Sequence, residues 1–428
     1  MSARRTCVWV ACWDALGYDF LWGGFDKVTG TTYTQTDRQT DRQTDRQTDR
    51  QGKRPRNSSL ELLRIVAMLV IIMSHFGVHG IFHVLDPAAH VLTAATFSWQ
   101  MLFTQFVCWG GGMGNAVFVL ITGYFMIGHA VHWRKLVLLL LAQLFYAWLI
   151  AGVVYGGHFL PYTMKDLVKE SFPIFFGGNW FVSCYIVFSL FIPFINSFLT
   201  RLTKPQYQGF LLLLFAMFSV LPTFKIVTFF SAAPIVFFFL VYACGGYLKL
   251  YGKERLITGE GCHRRYLKVF FALLAFLLFS IAVSDAAGLW LHKDGLLTGA
   301  ARFTQVLQIP MAVSLFLYFL TRPYFYHAQV NRLAGTVLGI YLIHDNDLMR
   351  KLLWDYIFPN LDFIQSPWYA LFYLGKVLAV FAVCSLVELL RKRCVERPLS
   401  AALEWRWADA AGMAQRARGR LLRWAERV

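Results

Sequence analysis

Arg64 and His75 are the residues of this chain whose types and spacing most invite chemistry. They stand eleven positions apart within residues 57–80, NSSLELLRIVAMLVIIMSHFGVHG. At 3.6 residues per turn this is close to three turns, so both side chains fall on one stripe of one helix, ~16 Å apart along its axis. The segment around them is apolar enough to enter a bilayer. An ionisable side chain at membrane depth is costly and is a functional-site hypothesis by default. Imidazole gives and takes protons near neutrality, which makes His75 the candidate base and Arg64 a fixed cation three turns away on the same stripe. The structural alternative for His75 is a histidine hydrogen-bonded between helices. Glu61 has two local readings: Ser58-x-x-Glu61 fits a capping box, and Glu61 lies at i,i+3 to Arg64. His75, His79 and His83 recur at i, i+4 and i+8, a spacing able to hold a metal. Gly77 and Gly80 interrupt that helical pattern, and no Cys or carboxylate completes a shell, so no metal is expected.

The elements that must position these residues are membrane helices. The chain has 428 residues, is 57% hydrophobic and only 15% charged, and has a mean hydropathy of +0.50. A soluble chain would be about a quarter charged. Apolar runs of about twenty residues define an all-α, polytopic membrane helix bundle, and the absence of ten-residue alternating blocks excludes a membrane β-barrel. Ten spans are expected: 59–80, 103–127, 134–155, 180–200, 208–224, 233–251, 266–290, 303–321, 333–349 and 369–390. The ninth is the shortest apolar stretch. The net charge of +17 resides in short loops and the C-terminus. That distribution encodes topology and does not call for a nucleic-acid partner. Arg134 and Lys135, Arg201 and Lys204, Lys253, Arg255, Arg264 and Arg265, Arg322 and Arg332, and the run 391–393 fall on the side of the N-terminus. Residues 81–102 carry no Lys or Arg. Positive-inside bias then places both termini in the cytoplasm, with an even number of spans; the plasma membrane is the expected location. The eight cysteines are scattered without a CxxC pair, which suggests neither a disulfide framework nor a zinc ribbon.

Three regions follow. Residues 1–56 form a disordered N-terminal segment, 57–399 the membrane domain, and 400–428 a basic amphipathic tail suited to an anionic inner leaflet. The N-terminal segment holds a perfect tetrapeptide repeat, QTDRQTDRQTDRQTDRQ, over 35–51. The codons CAG ACA GAC AGA encode Gln-Thr-Asp-Arg and are themselves a run of the tetranucleotide CAGA. Such a tract reads open in every frame, and gain or loss of a unit shifts the frame downstream. The peptide repeat is therefore expected to be the by-product of a slippage-prone switch of expression, or phase variation. An invariant unit count across single colonies, or mixed codons, would sink that reading.

Several other residues could take part in the chemistry. GGGMGNAVFVLITGYF in the second span serves either close helix packing or a backbone-lined ligand path, and packing is the simpler role. Arg134 and Lys135, with His129 and His132 before them, can hold phosphates or act only as a topological anchor. Asn179 and Trp180 open the fourth span at the opposite face, where an interfacial tryptophan is common. His344 and Asp345 form a polar pair at that same face. Glu388 lies near the inner end of the last span.

SSLELLRIVAMLVIIMSHF, with ten residues between Arg64 and His75, resembles the first-helix signature of the acyltransferase-3 membrane proteins. VFVLITGYFM, NWFVSCYIVFSLFIPFIN, LGIYLIHDN and VERP resemble that family's later segments, so the likeness covers roughly 57–399. It implies transfer of an acyl group, usually acetyl from acetyl-CoA, to a hydroxyl of an extracytoplasmic acceptor such as a cell-surface polysaccharide. His75 would be the catalytic histidine and Arg64 its partner. Acyl-CoA is made in the cytoplasm and is anionic; its phosphates could dock on Arg134 and Lys135, and its pantetheine arm could reach toward His75. Glu61, Asn179, Trp180, His344 and Asp345 are candidates for substrate contact or for orienting the base. The competing class is a multi-span transporter or flippase of a small solute or lipid-linked sugar, for which an inverted repeat in hydropathy would speak.

Overall fold

The computed structural model describes residues 57–82, 93–161, 163–224, 234–252, 256–257, 261–297, 303–358 and 360–399. The QTDR tract, His83 and the basic tail lie outside the described residues. Among the described residues every regular element is helical, and nine helices are long and apolar enough to cross a membrane. The protein is an integral membrane helix bundle.

The first helix, α1, runs Ser58–His75 and continues without a break into a π-helical turn, Phe76–Phe82. The glycines at 77 and 80 do not end it, contrary to the sequence expectation. They allow close approach instead: a Cβ on Gly77 would strike Cys108, and one on Gly80 would strike Asn360 and Phe76. The second span is two helices, α2 (Trp99–Cys108) and α3 (Gly110–Met126), which meet at Trp109. Helix α3 presses on α1. A Cβ on Gly110 would overlap Val70, one on Gly111 would overlap Ser74, and one on Gly114 would overlap Ile71 and the carbonyl of Ala67. The glycine run therefore serves helix packing, since small residues let backbones approach in a bilayer. The order of these contacts makes α1 and α3 antiparallel. The end of α3 at Met126 thus returns to the level of Ser58, where α4 (Trp133–Gly156) begins.

Next come two short helices, α5 (Met164–Ser171) and α6 (Pro173–Phe176), and then the spans α7 (Trp180–Leu199) and α8 (Lys204–Phe215). Helix α8 is prolonged by a π-helical turn to Val220 and one further turn to Thr223. Spans α9 (Pro234–Tyr251), α10 (Cys262–Leu291) and α11 (Phe303–Thr321) follow. The expected ninth span, 333–349, is not one helix. It is α12 (Ala328–Ala334), α13 (Val337–His344) and α14 (Asp347–Lys351), with a π-helical turn from Leu352 to Ile357. Broken backbone at membrane depth is tolerated only where protein buries it. Here it is buried: every residue of α13 but Leu338 is inaccessible. The last span, α15 (Tyr369–Arg391), packs against α1 and α13.

Candidate functional site

Two ends of α1 are built differently. At its start Asn57, not Ser58, caps the helix by accepting from the Ser59 amide at 3.0 Å. The Ser58 hydroxyl instead donates to Asn331 Oδ1 at 2.8 Å and so ties α1 to α12. Released from capping, Glu61 pairs with Arg64 at 3.0 Å, and both side chains are partly exposed. This settles the two local readings of Glu61 in favour of the i,i+3 pair. The antiparallel packing of α1 and α3 brings Arg134, half-buried, and Lys135, exposed, to this same end of the bundle at the start of α4.

At the other end α1 delivers His75. Helix α13 runs beside α1 and ends on His344 and Asp345 at the same level. His75 Nδ1 lies 3.0 Å from His344 Nε2 and 3.3 Å from Asp345 Oδ1. His344 Nδ1 lies 2.6 Å from the carbonyl of Ile340, one turn back on its own helix. A carbonyl only accepts, so neutral His344 carries its proton on Nδ1 and its Nε2 is a lone pair. His75 must then donate from Nδ1, which leaves the lone pair of neutral His75 on Nε2. The trio therefore sets the tautomer of His75, as an orienting partner does for a general base. His344 is fully buried and Asp345 is 2% exposed, whereas the His75 side chain is 12% exposed. His75 is thus the most accessible of the three.

The break after α13 is what turns Asp345 toward His75. Asn346 caps α14 by accepting from the amides of Leu348 and Met349, so the chain starts a new helix immediately after Asp345. That new helix carries Arg350. Its Nε stands 3.8 Å from Asp345 Oδ1, its Nη1 donates to His79 Nε2 at 3.2 Å, and it also pairs with Asp347. His79 is one turn beyond His75, with ring centroids 5.6 Å apart. His75 and His79 therefore do share a face, across the π-helical turn that sequence reading took for a helix end.

Asn179 is buried in a left-handed conformation, φ 44°, and its Nδ2 donates to the carbonyl of Leu342 at 3.4 Å. It positions α7 against α13, two residues before His344. Trp180 is on the surface. The Phe181 amide donates to the Tyr341 hydroxyl at 3.3 Å, a second tie between the same helices. Of the candidate residues, the structure unites His75, His344 and Asp345, sets Asn179 beside them, and leaves Arg64, Glu61, Arg134 and Lys135 at the opposite end.

Several contributors lie outside the residues singled out from the sequence. Arg350 is not among the candidate residues, although the density of polar residues in HDNDLMRK after an apolar helix is a usable signal. Phe76 stacks on Trp354, with ring centroids 4.9 Å apart, and packs at a tilt against Tyr373, at 4.2 Å. Lys376 donates to Asn360 Oδ1 at 2.8 Å, and Asn360 donates to the carbonyl of Gly80 at 3.1 Å. With the Tyr373 hydroxyl on the carbonyl of Met73, these groups fix the π-helical turn and hence His75. No local pattern announces them.

The fold and this cluster define an integral membrane protein with a hydrogen-bonded histidine pair and a carboxylate at one end of its first span. The family is shown by comparison: a model described as an acyltransferase domain, that of the acyltransferase-3 family, matches residues 57–387, and the chain belongs to that family. It is a membrane acyltransferase that works with an acyl donor and an acceptor, and it does not transfer aminoacyl groups. No curated protein and no solved structure matches the chain.

Proposed function

We propose that the protein is an O-acyltransferase that moves an acetyl group from cytoplasmic acetyl-CoA to a hydroxyl of an extracytoplasmic cell-surface glycan, with His75 as general base. The observation that carries the reading is the hydrogen-bond chain Ile340–His344–His75, which leaves Nε2 of His75 unprotonated at the accessible edge of the trio. In this scheme Nε2 removes the proton of the acceptor hydroxyl as its oxygen attacks the thioester carbonyl. Asp345, 3.3 Å from Nδ1, stabilises the imidazolium that forms. The carbon–sulfur bond then breaks, and the proton on Nε2 passes to the departing thiolate, so the base is regenerated and free CoA and the ester are released.

The charge pattern of the loops supports the polarity: Arg64, Arg134 and Lys135 face the cytoplasm, where an anionic donor is made, and His75 faces the acceptor. The donor's phosphates would be met by Arg134 and Lys135, with Arg64 beside the path of its pantetheine arm; the ~16 Å rise between Arg64 and His75 suits such an arm. General-base assistance contributes about 10²–10⁴-fold, so His75→Ala should lose activity by that factor. The test is transfer of label from acetyl-CoA to surface glycan by membranes bearing wild-type or His75→Ala protein. Retained O-acetylation by folded His75→Ala protein refutes the assignment.

A further inference from the structure

The connection between α4 and α7 carries a surface that acyl transfer does not account for. Helix α5 is two-sided. At 100° per residue, Met164, Leu167, Val168 and Ser171 fall on one face and Lys165, Asp166, Lys169 and Glu170 on the other. At its start Asp166 Oδ2 accepts from the Thr163 hydroxyl at 2.7 Å and the Thr163 amide at 2.9 Å, and those hydrogen bonds hold the Asp166 carboxyl below the usual carboxylate range. A tight turn on Gly177, φ +76°, follows α6. Between them Phe172, Phe175 and Phe176 are exposed, Phe175 to 83%, as are Met164 and Val168 of α5.

An aromatic surface of this size is unusual facing water. This one lies between the end of one span, Gly156, and the start of the next, Trp180, which places it at the boundary of the bilayer. Aromatic side chains with lysines on the opposite helix face are the pattern of a segment lying in the headgroup layer. The segment is also tied to the histidine cluster. Asn346 Nδ2 donates to Glu170 at 3.4 Å, and the Ser183 hydroxyl and Gln143 Nε2 both bond the carbonyl of Gly178, at 2.7 and 2.9 Å.

We propose that α5 and α6 form an interfacial element whose aromatic face sits in the lipid boundary and whose lysines meet anionic headgroups, so that the Asp345–Asn346 corner is held at headgroup depth. The partner is the lipid surface. The inference rests on exposure, charge pattern and position and does not depend on the acyl-transfer reading.

The test uses the full chain in nanodiscs of phosphatidylethanolamine and phosphatidylglycerol, with p-benzoylphenylalanine in place of Phe175, of Phe279 or of Lys165. Phe279 is 68% exposed in the middle of span α10 and is the lipid-facing reference. Photolysis and mass spectrometry should give lipid adducts at position 175 within about threefold of those at 279, and about tenfold fewer at 165. The double change Lys165→Gln and Lys169→Gln should lower the share of phosphatidylglycerol among the adducts at 175. Adducts at 175 no more frequent than at 165 would overturn the proposal, because the face then points to water. Crosslinks from 175 to a second copy of the chain or to another protein would overturn it equally.

Discussion

Asp345→Asn is the sharpest test of the histidine cluster, because it removes a charge while keeping size and one hydrogen-bonding oxygen. The His75 Nδ1 proton has two acceptors, His344 Nε2 at 3.0 Å and Asp345 Oδ1 at 3.3 Å. The first survives the substitution, so the tautomer is preserved. What is lost is a charge-assisted bond that strengthens when His75 becomes an imidazolium. Hydrogen bonds to charged groups contribute about 1.5–3 kcal/mol. Arg350, 3.8 Å from the same oxygen, already draws on that carboxylate and sets the expectation toward the lower half. At about 1.4 kcal/mol per tenfold, kcat should fall roughly 10- to 40-fold with KM for acetyl-CoA unchanged. The assay is label transfer in nanodiscs at saturating donor, with intact folding checked by gel filtration. The double variant Asp345→Asn with His75→Ala should be no slower than His75→Ala alone, since residues acting through one group are not additive. Unchanged kcat in Asp345→Asn, or full additivity in the double variant, would refute the argument that Asp345 acts through His75.

Other outcomes follow from the same contacts. Arg64→Ala should raise KM for acetyl-CoA with a smaller effect on kcat; its partly exposed pair with Glu61 contributes only about 0.2–0.5 kcal/mol, so thermal unfolding should barely move. Gly114→Leu would drive a side chain into Ile71 and the backbone of α1; overpacking costs about 1–3 kcal/mol, visible as a lower melting temperature together with lost transfer. Gly152→Ala, where nothing lies within 4 Å of the new Cβ, is the matched control and should be neutral or slightly stabilising. Arg391→Ala would strand the fully buried Glu388, which receives a bond from the Tyr146 hydroxyl at 2.6 Å and from Arg391 at 2.7 Å. Losing one partner of a buried pair costs about 3–5 kcal/mol, and a thermal shift in detergent would register it; an unshifted transition would mean that Lys392, 3.8 Å away, suffices to neutralise Glu388.

The sequence by itself determined the class and most of the spans, because the bilayer demands long apolar helices and that demand is written locally. It also determined that Arg64 and His75 share a stripe, since helical period is a property of one segment, and its motifs resemble the family that the chain proves to belong to. It misjudged places where local preference yields to packing. The glycines at 77 and 80 look like helix breakers, yet they admit Cys108, Asn360 and the Phe76 ring and the helix runs on as a π turn. Residues 333–349 look like one span, yet the chain breaks at Gly335, where Thr336 and Lys392 donate to the carbonyls of Leu333 and Gly335, and again at Asp345, after which Asn346 caps a new helix. What only the tertiary structure decided is who meets His75. His344 is 269 residues away in the chain, and no periodicity links the two; they meet because α13 is packed parallel to α1 and ends at its level. The proton positions in the trio follow from that meeting, since the carbonyl of Ile340 fixes His344 and His344 fixes His75.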